Sequence, residues 1–269
     1  EAVRPVMTED IVVSVDWLAD HLDEVRVVDV RDAWEFDGIG HLPGAVNVPF
    51  DRFRSDEGDE GMLPGAERWA ALLGDVGIDR DDAIVAYDDE HGVFAARFLV
   101  TALLYGHETL HLLDGDFSAW SRERETTSEA PSVEPSTYDV RESAASPLVD
   151  FEAVRAALDS DAVVVDTREA WEYEEGHLPG AVQLDWRELV DAETRGLKPD
   201  AELESLLAER GITPDRRIVL YCNTARRISH TYVALRHLGY DTVDFYEGSL
   251  TEWTERGGPV VEGADGNPE

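Results

Sequence analysis

The stretch "VVDVRDAWEF", residues 27–36, returns as "VVDTREAWEY" at residues 164–173 with seven of ten positions identical. Working outward, "GHLPGAV" at 40–46 recurs unchanged at 176–182, and residues 63–88 align without a gap to residues 197–222. One domain is therefore written twice. A repeat of about 135 residues is far too long for a solenoid unit, so each copy is expected to bury its own core. Between the copies, "SRERETTSEAPSVEPSTYDVRESAASP" (121–147) is rich in Ser, Thr, Glu and Pro and has no apolar periodicity. The expected organisation is a first domain over 1–122, a linker over 123–147, a second domain over 148–262 and a disordered tail over 263–269.

Within the second copy, strand and helix patterns alternate. Asp150 is a candidate N-cap for "FEAVRAALDS", and "AVVVD" (162–166) is a continuous β-branched run of the kind buried on both faces of a sheet. "AELESLLAERG" (201–211) has helical spacing and a closing glycine, "RIVLY" (217–221) is a second buried strand, "RISHTYVALRHLG" (227–239) a helix, and "TVDFYEG" (242–248) a third strand. This alternation predicts an α/β fold, two tandem domains each with a mostly parallel sheet flanked by helices on both faces. Ligands in such sheets bind beyond the carboxyl ends of the strands. Cys222 and Arg168 each stand at such an end.

The chain carries 59 acidic against 23 basic residues, a formal net charge of −36, and its single lysine is Lys198. Nucleic acid and anionic membranes are excluded as natural partners. Acids spread along the whole chain, with arginine almost entirely replacing lysine, suit a halophilic protein whose self-repulsion is screened by salt. No apolar run is long enough to span a bilayer, the opening "EAVRPVMTED" lacks the character of a signal peptide, and one cysteine cannot form an internal disulfide. A cytoplasmic protein is expected.

Cys222, the only cysteine, ends an apolar run and is followed by Arg226 and Arg227. A short loop from a strand into a helix N-terminus aims backbone N–H groups and the helix dipole into one hollow, which favours an anion and a thiolate over a thiol. With the duplicated "VVDxR" and "GHLPGA" segments, this strand-end cysteine loop and "YEGSLTEW" (246–253), the chain resembles the two-domain rhodanese family from about residue 11 to residue 260.

That resemblance implies a thiosulfate sulfurtransferase. Cys222 would take the outer sulfur of a small anionic donor as a persulfide and pass it to cyanide or another thiophilic acceptor. The backbone of Asn223, Thr224, Ala225, Arg226 and Arg227 would cradle the donor, Arg227 would bind its oxygens, Arg226 would assist or face water, and Arg168 would be a second anion contact unless it pairs with Asp166 or Glu172. Neither cofactor nor metal is needed, and two pseudo-symmetric domains in one chain make a monomer the expectation. In the first copy Asp88 stands at the cysteine position and acidic residues follow, so this half is expected to be inactive.

Alternatives stay open. Thiosulfate enzymes of the family tend to carry basic residues after the cysteine and 3-mercaptopyruvate enzymes a small uncharged loop; "CNTARR" matches neither, though its arginines lean toward thiosulfate. A persulfide carrier or rhodanese-like binding module is compatible with the same loop. A phosphatase-like enzyme fits less well, since such relatives place five residues between cysteine and arginine where this chain has four. "HETLH" (107–111) has the letters of a zinc motif, but its strand-like register separates the histidines. His41 and His177 in the repeated turns are expected to satisfy backbone groups, His230 to pack or face water, and Trp34 and Trp171 to lie in the core.

Overall fold

The computed structural model describes residues 10–55, 62–141, 146–223 and 225–264. Thr224 therefore lies outside the described residues. The chain divides into two units, residues 1–146 with 191–197, and residues 147–190 with 198–269. The second copy is thus interrupted, with 191–197 grouped with the first unit.

In the first unit, strands β1 (Val12–Val13), β2 (Arg26–Asp29), β3 (Val46–Asn47), β4 (Ile84–Tyr87) and β5 (Leu110–Leu113) form a parallel sheet in the order β1-β5-β4-β2-β3. The helices are α1 (Val15–His21), α2 (Ala33–Gly38), α3 (Ala66–Asp75), α4 (Val93–Leu104) and α5 (Phe117–Glu123). Its strands read as continuous apolar runs because helices cover both faces: all four residues of β4 and of β5 are buried.

The second unit repeats the plan. Strands β6 (Val163–Asp166), β7 (Val182–Gln183), β8 (Ile218–Tyr221) and β9 (Val243–Phe245) form a parallel sheet in the order β7-β6-β8-β9. Where the first unit has β1, a single parallel bridge joins Leu148 to Phe245. Helices α6 (Phe151–Leu158), α7 (Ala170–Glu175), α8 (Asp200–Glu209), α9 (Arg226–His237) and α10 (Ser249–Glu255) complete it. Asp150 caps α6 by accepting from the Ala153 N–H at 2.9 Å, as its position before an apolar-periodic run predicts. Trp253, fully buried against Phe151, anchors the core between α6 and α10.

The segment read as a linker is a strap laid along the first unit. Thr127 pairs antiparallel with His41, the Ser136 N–H donates to the Gly74 carbonyl at 2.9 Å, and the Arg141 N–H donates to the Tyr105 carbonyl at 3.1 Å. Tyr138 is buried, stacked on His107 and hydrogen-bonded to its Nδ1 at 2.9 Å. Gly74 permits this approach, since a Cβ there would sit 2.6 Å from the Ser136 carbonyl oxygen. The strap shows no periodicity because one aromatic anchor and backbone hydrogen bonds dock it, not an apolar face. At the other end, Val261 pairs with His177 and the Gly263 N–H donates to the Glu174 carbonyl at 2.9 Å. The expected tail 263–269 is thus tethered at its first residue, and 265–269 lie outside the described residues.

Trp34 and Trp171, expected in the core, are 65% and 57% exposed. Each sits in the first turn of a six-residue helix whose inward position is taken by Phe36 or Tyr173. Each indole N–H instead donates to the acid at the helix start, Asp32 at 3.2 Å and Glu169 at 2.9 Å. The histidines of the repeated turns do serve the fold. His41 Nδ1 lies 2.9 Å from the Thr127 carbonyl and His177 Nδ1 lies 2.7 Å from the Tyr173 carbonyl.

Candidate active site

Asp166 ends β6 and Arg168 follows two residues later. Arg168 is buried and forms a fork on Asp166, Nη2 to Oδ2 at 2.6 Å and Nε to Oδ1 at 2.9 Å, while Nη2 also donates to the Gly176 carbonyl at 2.7 Å. The first unit holds the same arrangement: Arg31 Nη2 to Asp29 Oδ2 at 2.6 Å, Nε to Oδ1 at 3.0 Å, and Nη2 to the Gly40 carbonyl at 2.7 Å. Tyr221 and Tyr87 stand over these arginines, each donated to by a leucine N–H of the repeated turn, Leu178 and Leu42. Burial first and the neighbouring aspartate second push both phenols well above the usual tyrosine range. A pair built identically in a half that lacks the cysteine belongs to the fold. Arg168 is thus ion-paired with Asp166 and, unlike Arg31 among the described residues, also donates from Nη1 to Asn223 Oδ1 at 3.4 Å.

Cys222 follows β8, next to β6 in the sheet, and is 1% exposed. Its N–H donates to Ser249 Oγ at 3.1 Å, and its carbonyl accepts from the Leu250 N–H at 2.9 Å. Ser249 itself takes a left-handed φ of 51° and donates to the Tyr246 carbonyl at 2.9 Å. Ala225, buried, turns the chain into α9 with a φ of 65°, a conformation that costs a non-glycine residue about 1 kcal/mol. Such backbone is retained where surrounding structure over-determines it. Arg226, at the start of α9, is exposed.

Arg227 is largely buried and directed at Glu172, which receives Nη1 at 2.5 Å and Nη2 at 2.9 Å. Glu172 Oε1 also accepts from Asn223 Nδ2 at 3.0 Å, and Oε2 from the Glu169 N–H at 3.1 Å. One carboxylate therefore starts α7 and holds the loop at Asn223 and at Arg227. Burial alone would push the Glu172 carboxyl up, but the Arg227 hydrogen bond, the Glu169 N–H and the two nearby arginines hold it below the usual range. Burial likewise would lower Arg227, but its hydrogen bond to Glu172 and the electrostatic influence of Cys222 and Glu172 raise it overall. Cys222 and Arg227 are thus within electrostatic reach of each other.

The first unit shows what such a loop holds. Asp88, buried at the end of β4, accepts four backbone N–H groups, Glu90 at 2.9 Å, Gly92 at 2.8 Å, Phe94 at 2.8 Å and Ala95 at 3.0 Å. Burial pushes its carboxyl up to about 6, against the pull of those four amides. The loop is one residue longer than its twin, and aligning the helix starts Val93 and Arg226 matches Phe94 and Ala95 to Arg227 and Ile228. The amides that grip a carboxylate in one half are therefore those opening α9 beside Cys222 in the other.

Sequence reasoning missed Ser249 and Thr251, whose Oγ1 donates to the Asn223 carbonyl at 3.0 Å, and saw Glu172 merely as a candidate partner of Arg168. The signal for Glu172 was masked by its twin Glu35, which marks it as a helix-start residue. Elsewhere, His107 Nε2 lies 2.7 Å from the Asp82 carbonyl and His111 Nδ1 near the Asp10 carbonyl, and no metal-ligating cluster occurs among the described residues. His230 packs edge-on against Trp186 at 5.1 Å. No helix among the described residues is long and apolar enough to cross a membrane.

The family model for the rhodanese-like domain matches residues 14–123 and 150–256, once in each unit. A sulfur carrier protein TtuD of Thermus thermophilus is 31% identical over 95% of this chain and 98% of its own. A thiosulfate sulfurtransferase of Pseudomonas aeruginosa is 32% identical over 86% of this chain and 88% of its own. Among solved structures, SseA of Escherichia coli, described with the fold and mechanism of 3-mercaptopyruvate sulfotransferases, superposes with a TM-score of 0.79 at 26% identity, covering 90% of this chain and 99% of that one.

Proposed function

Because the chain belongs to the rhodanese-like family, with one domain in each half, we propose that it is a sulfurtransferase working through a persulfide on Cys222, with thiosulfate as donor. The observation that carries the reading is the placement of the chain's one thiol. It stands at the carboxyl end of a central parallel strand, before a helix N-terminus, with the Arg227 charge in reach. The amide grip on Asp88 in the twin loop supports an anionic occupant for the same amides beside Cys222.

In the proposed cycle the Cys222 thiolate attacks the outer sulfur of thiosulfate, a sulfur–sulfur bond forms to cysteine, and the bond within thiosulfate breaks with its electron pair leaving on sulfite. Cyanide or another thiophile then attacks the terminal sulfur of the persulfide, forming thiocyanate in the case of cyanide and returning the thiolate. Backbone amides at the start of α9 and Arg227 stabilise charge on the donor and on the persulfide without reorganising. Asp88 cannot form a persulfide and its carboxylate already fills the corresponding amides, so the first unit carries no sulfur. The likeness to TtuD favours a second reading, in which the same persulfide is handed to a partner protein, and the likeness to SseA keeps 3-mercaptopyruvate as an alternative donor.

The test is steady-state transfer to cyanide from thiosulfate and from 3-mercaptopyruvate, with intact-mass detection of one added sulfur on the protein. Thiosulfate is expected to load the wild-type chain and Cys222→Ser to accept no sulfur. Undiminished transfer by Cys222→Ser refutes the mechanism, while loading without turnover on cyanide favours the carrier.

A further inference from the structure

Resting on the sulfur-transfer reading above, we propose that Glu172 is a positioning residue that also sets donor specificity. It holds Arg227 beside Cys222 and, by cancelling one of the loop's two arginine charges, weights the site against a dianionic donor relative to a monoanionic one.

The argument starts from what α7 needs. A capping box asks one carboxylate oxygen at the third helical position to accept the N–H at the helix start. Glu35 in the first unit makes that contact, to the Asp32 N–H at 3.1 Å. Glu172 makes it too, to Glu169. Everything further that Glu172 does lies outside the helix: Oε1 takes Asn223 Nδ2 at 3.0 Å and Arg227 Nη2 at 2.9 Å, and Oε2 takes Arg227 Nη1. The first unit has Val93 and Phe94 at the head of its helix instead of arginines, so nothing there calls for this second role. The extra contacts occur in the unit that carries the thiol.

The charges around Cys222 then sum simply. Arg168 is neutralised by Asp166, and Arg227 by Glu172 with side chains 15% and 11% exposed. The pair is screened little by water, so its carboxylate is felt by a donor anion bound near Arg227. Repulsion by a fixed charge scales with the charge of the ligand. Its effect on the affinity for thiosulfate, a dianion, is the square of that for the 3-mercaptopyruvate monoanion.

Two variants test this. Glu172→Gln removes the charge and leaves one accepting oxygen, which can serve Asn223 or the helix cap but not both; Glu172→Asp keeps the charge on a shorter arm. In dilute buffer Glu172→Gln is expected to lower KM about twofold for 3-mercaptopyruvate and about fourfold for thiosulfate, with both effects fading in molar KCl. Glu172→Asp is expected to lower kcat, because the loop is less well held, and to leave the ratio of the two KM values as in the wild type. Equal KM changes for both donors in Glu172→Gln, or an altered ratio in Glu172→Asp, overturn the specificity role, and an undiminished kcat in Glu172→Asp overturns the positioning role. If the wild-type chain gains no sulfur from either donor by mass, the sulfur-transfer reading fails and takes this inference with it. If loading is normal and the KM ratio does not move in Glu172→Gln, the specificity role alone fails.

Discussion

Replacing Arg168 by methionine, and Arg31 by methionine in parallel, separates a fold-bearing arginine from a donor-binding one. Both guanidinium groups make the same four contacts, three to a fully buried aspartate and one to a turn carbonyl. Methionine roughly fills the volume but strands the carboxylate of Asp166 or Asp29 without its cation, which costs about 3–5 kcal/mol. Since a domain of this size unfolds with about 0.2 kcal/mol per kelvin of entropy, each substitution is expected to lower the melting temperature by roughly 15 °C. Arg168→Met alone also releases Asn223, the residue after Cys222, and is expected to lose about tenfold in kcat/KM beyond its stability defect. Thermal unfolding followed by circular dichroism and steady-state sulfur transfer below both melting points provide the readouts. A normal melting temperature for Arg168→Met, with a donor KM raised several-fold, would show that the guanidinium serves the donor and that the twin-pair reasoning is wrong.

Asp88 gives a pH signature. Its folded pKa of about 6 lies above the ordinary aspartate value of 3.8, so between those values the native state binds more protons than the unfolded one. Its contribution to stability therefore falls as pH rises from about 4 to about 6, by about 3 kcal/mol for a shift of this size, and denaturant titrations of wild type against Asp88→Asn should show their difference following that curve. A difference independent of pH over that interval would contradict the burial argument. Trp34→Ala and Trp171→Ala are expected to cost under about 1 kcal/mol, whereas Trp253→Ala, in a fully buried site, should cost about 3–5 kcal/mol; equal losses in urea unfolding would contradict the exposures described. With a net charge of −36, the melting temperature is expected to rise from dilute buffer to molar KCl, and an unchanged value would remove the halophilic reading.

Much of the fold was legible because the signals are local. A β-branched run such as "VVVD", an N-cap such as Asp150 and a closing glycine such as Gly211 each act within a few residues, and the structure holds them as β6, the cap of α6 and a left-handed turn after α8. The burial of Trp34 and Trp171 was misjudged because a six-residue helix has room for one inward aromatic, and the choice between neighbouring Trp and Phe or Tyr depends on where the sheet lies. The strap over 126–141 was unreadable as packed structure because hydrogen bonds from an extended chain leave no periodic trace.

By itself the sequence determined that one α/β domain is present twice, that a lone thiol ends a buried strand of the second copy, and that the first copy has a carboxylate there. Which arginine answers to which acid was decided by the tertiary structure. β6 and β8 lie side by side, so Glu172, after β6, comes within hydrogen-bond reach of Arg227, after β8, across 55 positions of chain. Charges far apart in sequence acquire partners through strand order, and a string of letters lists those charges without saying which of them the sheet will bring together.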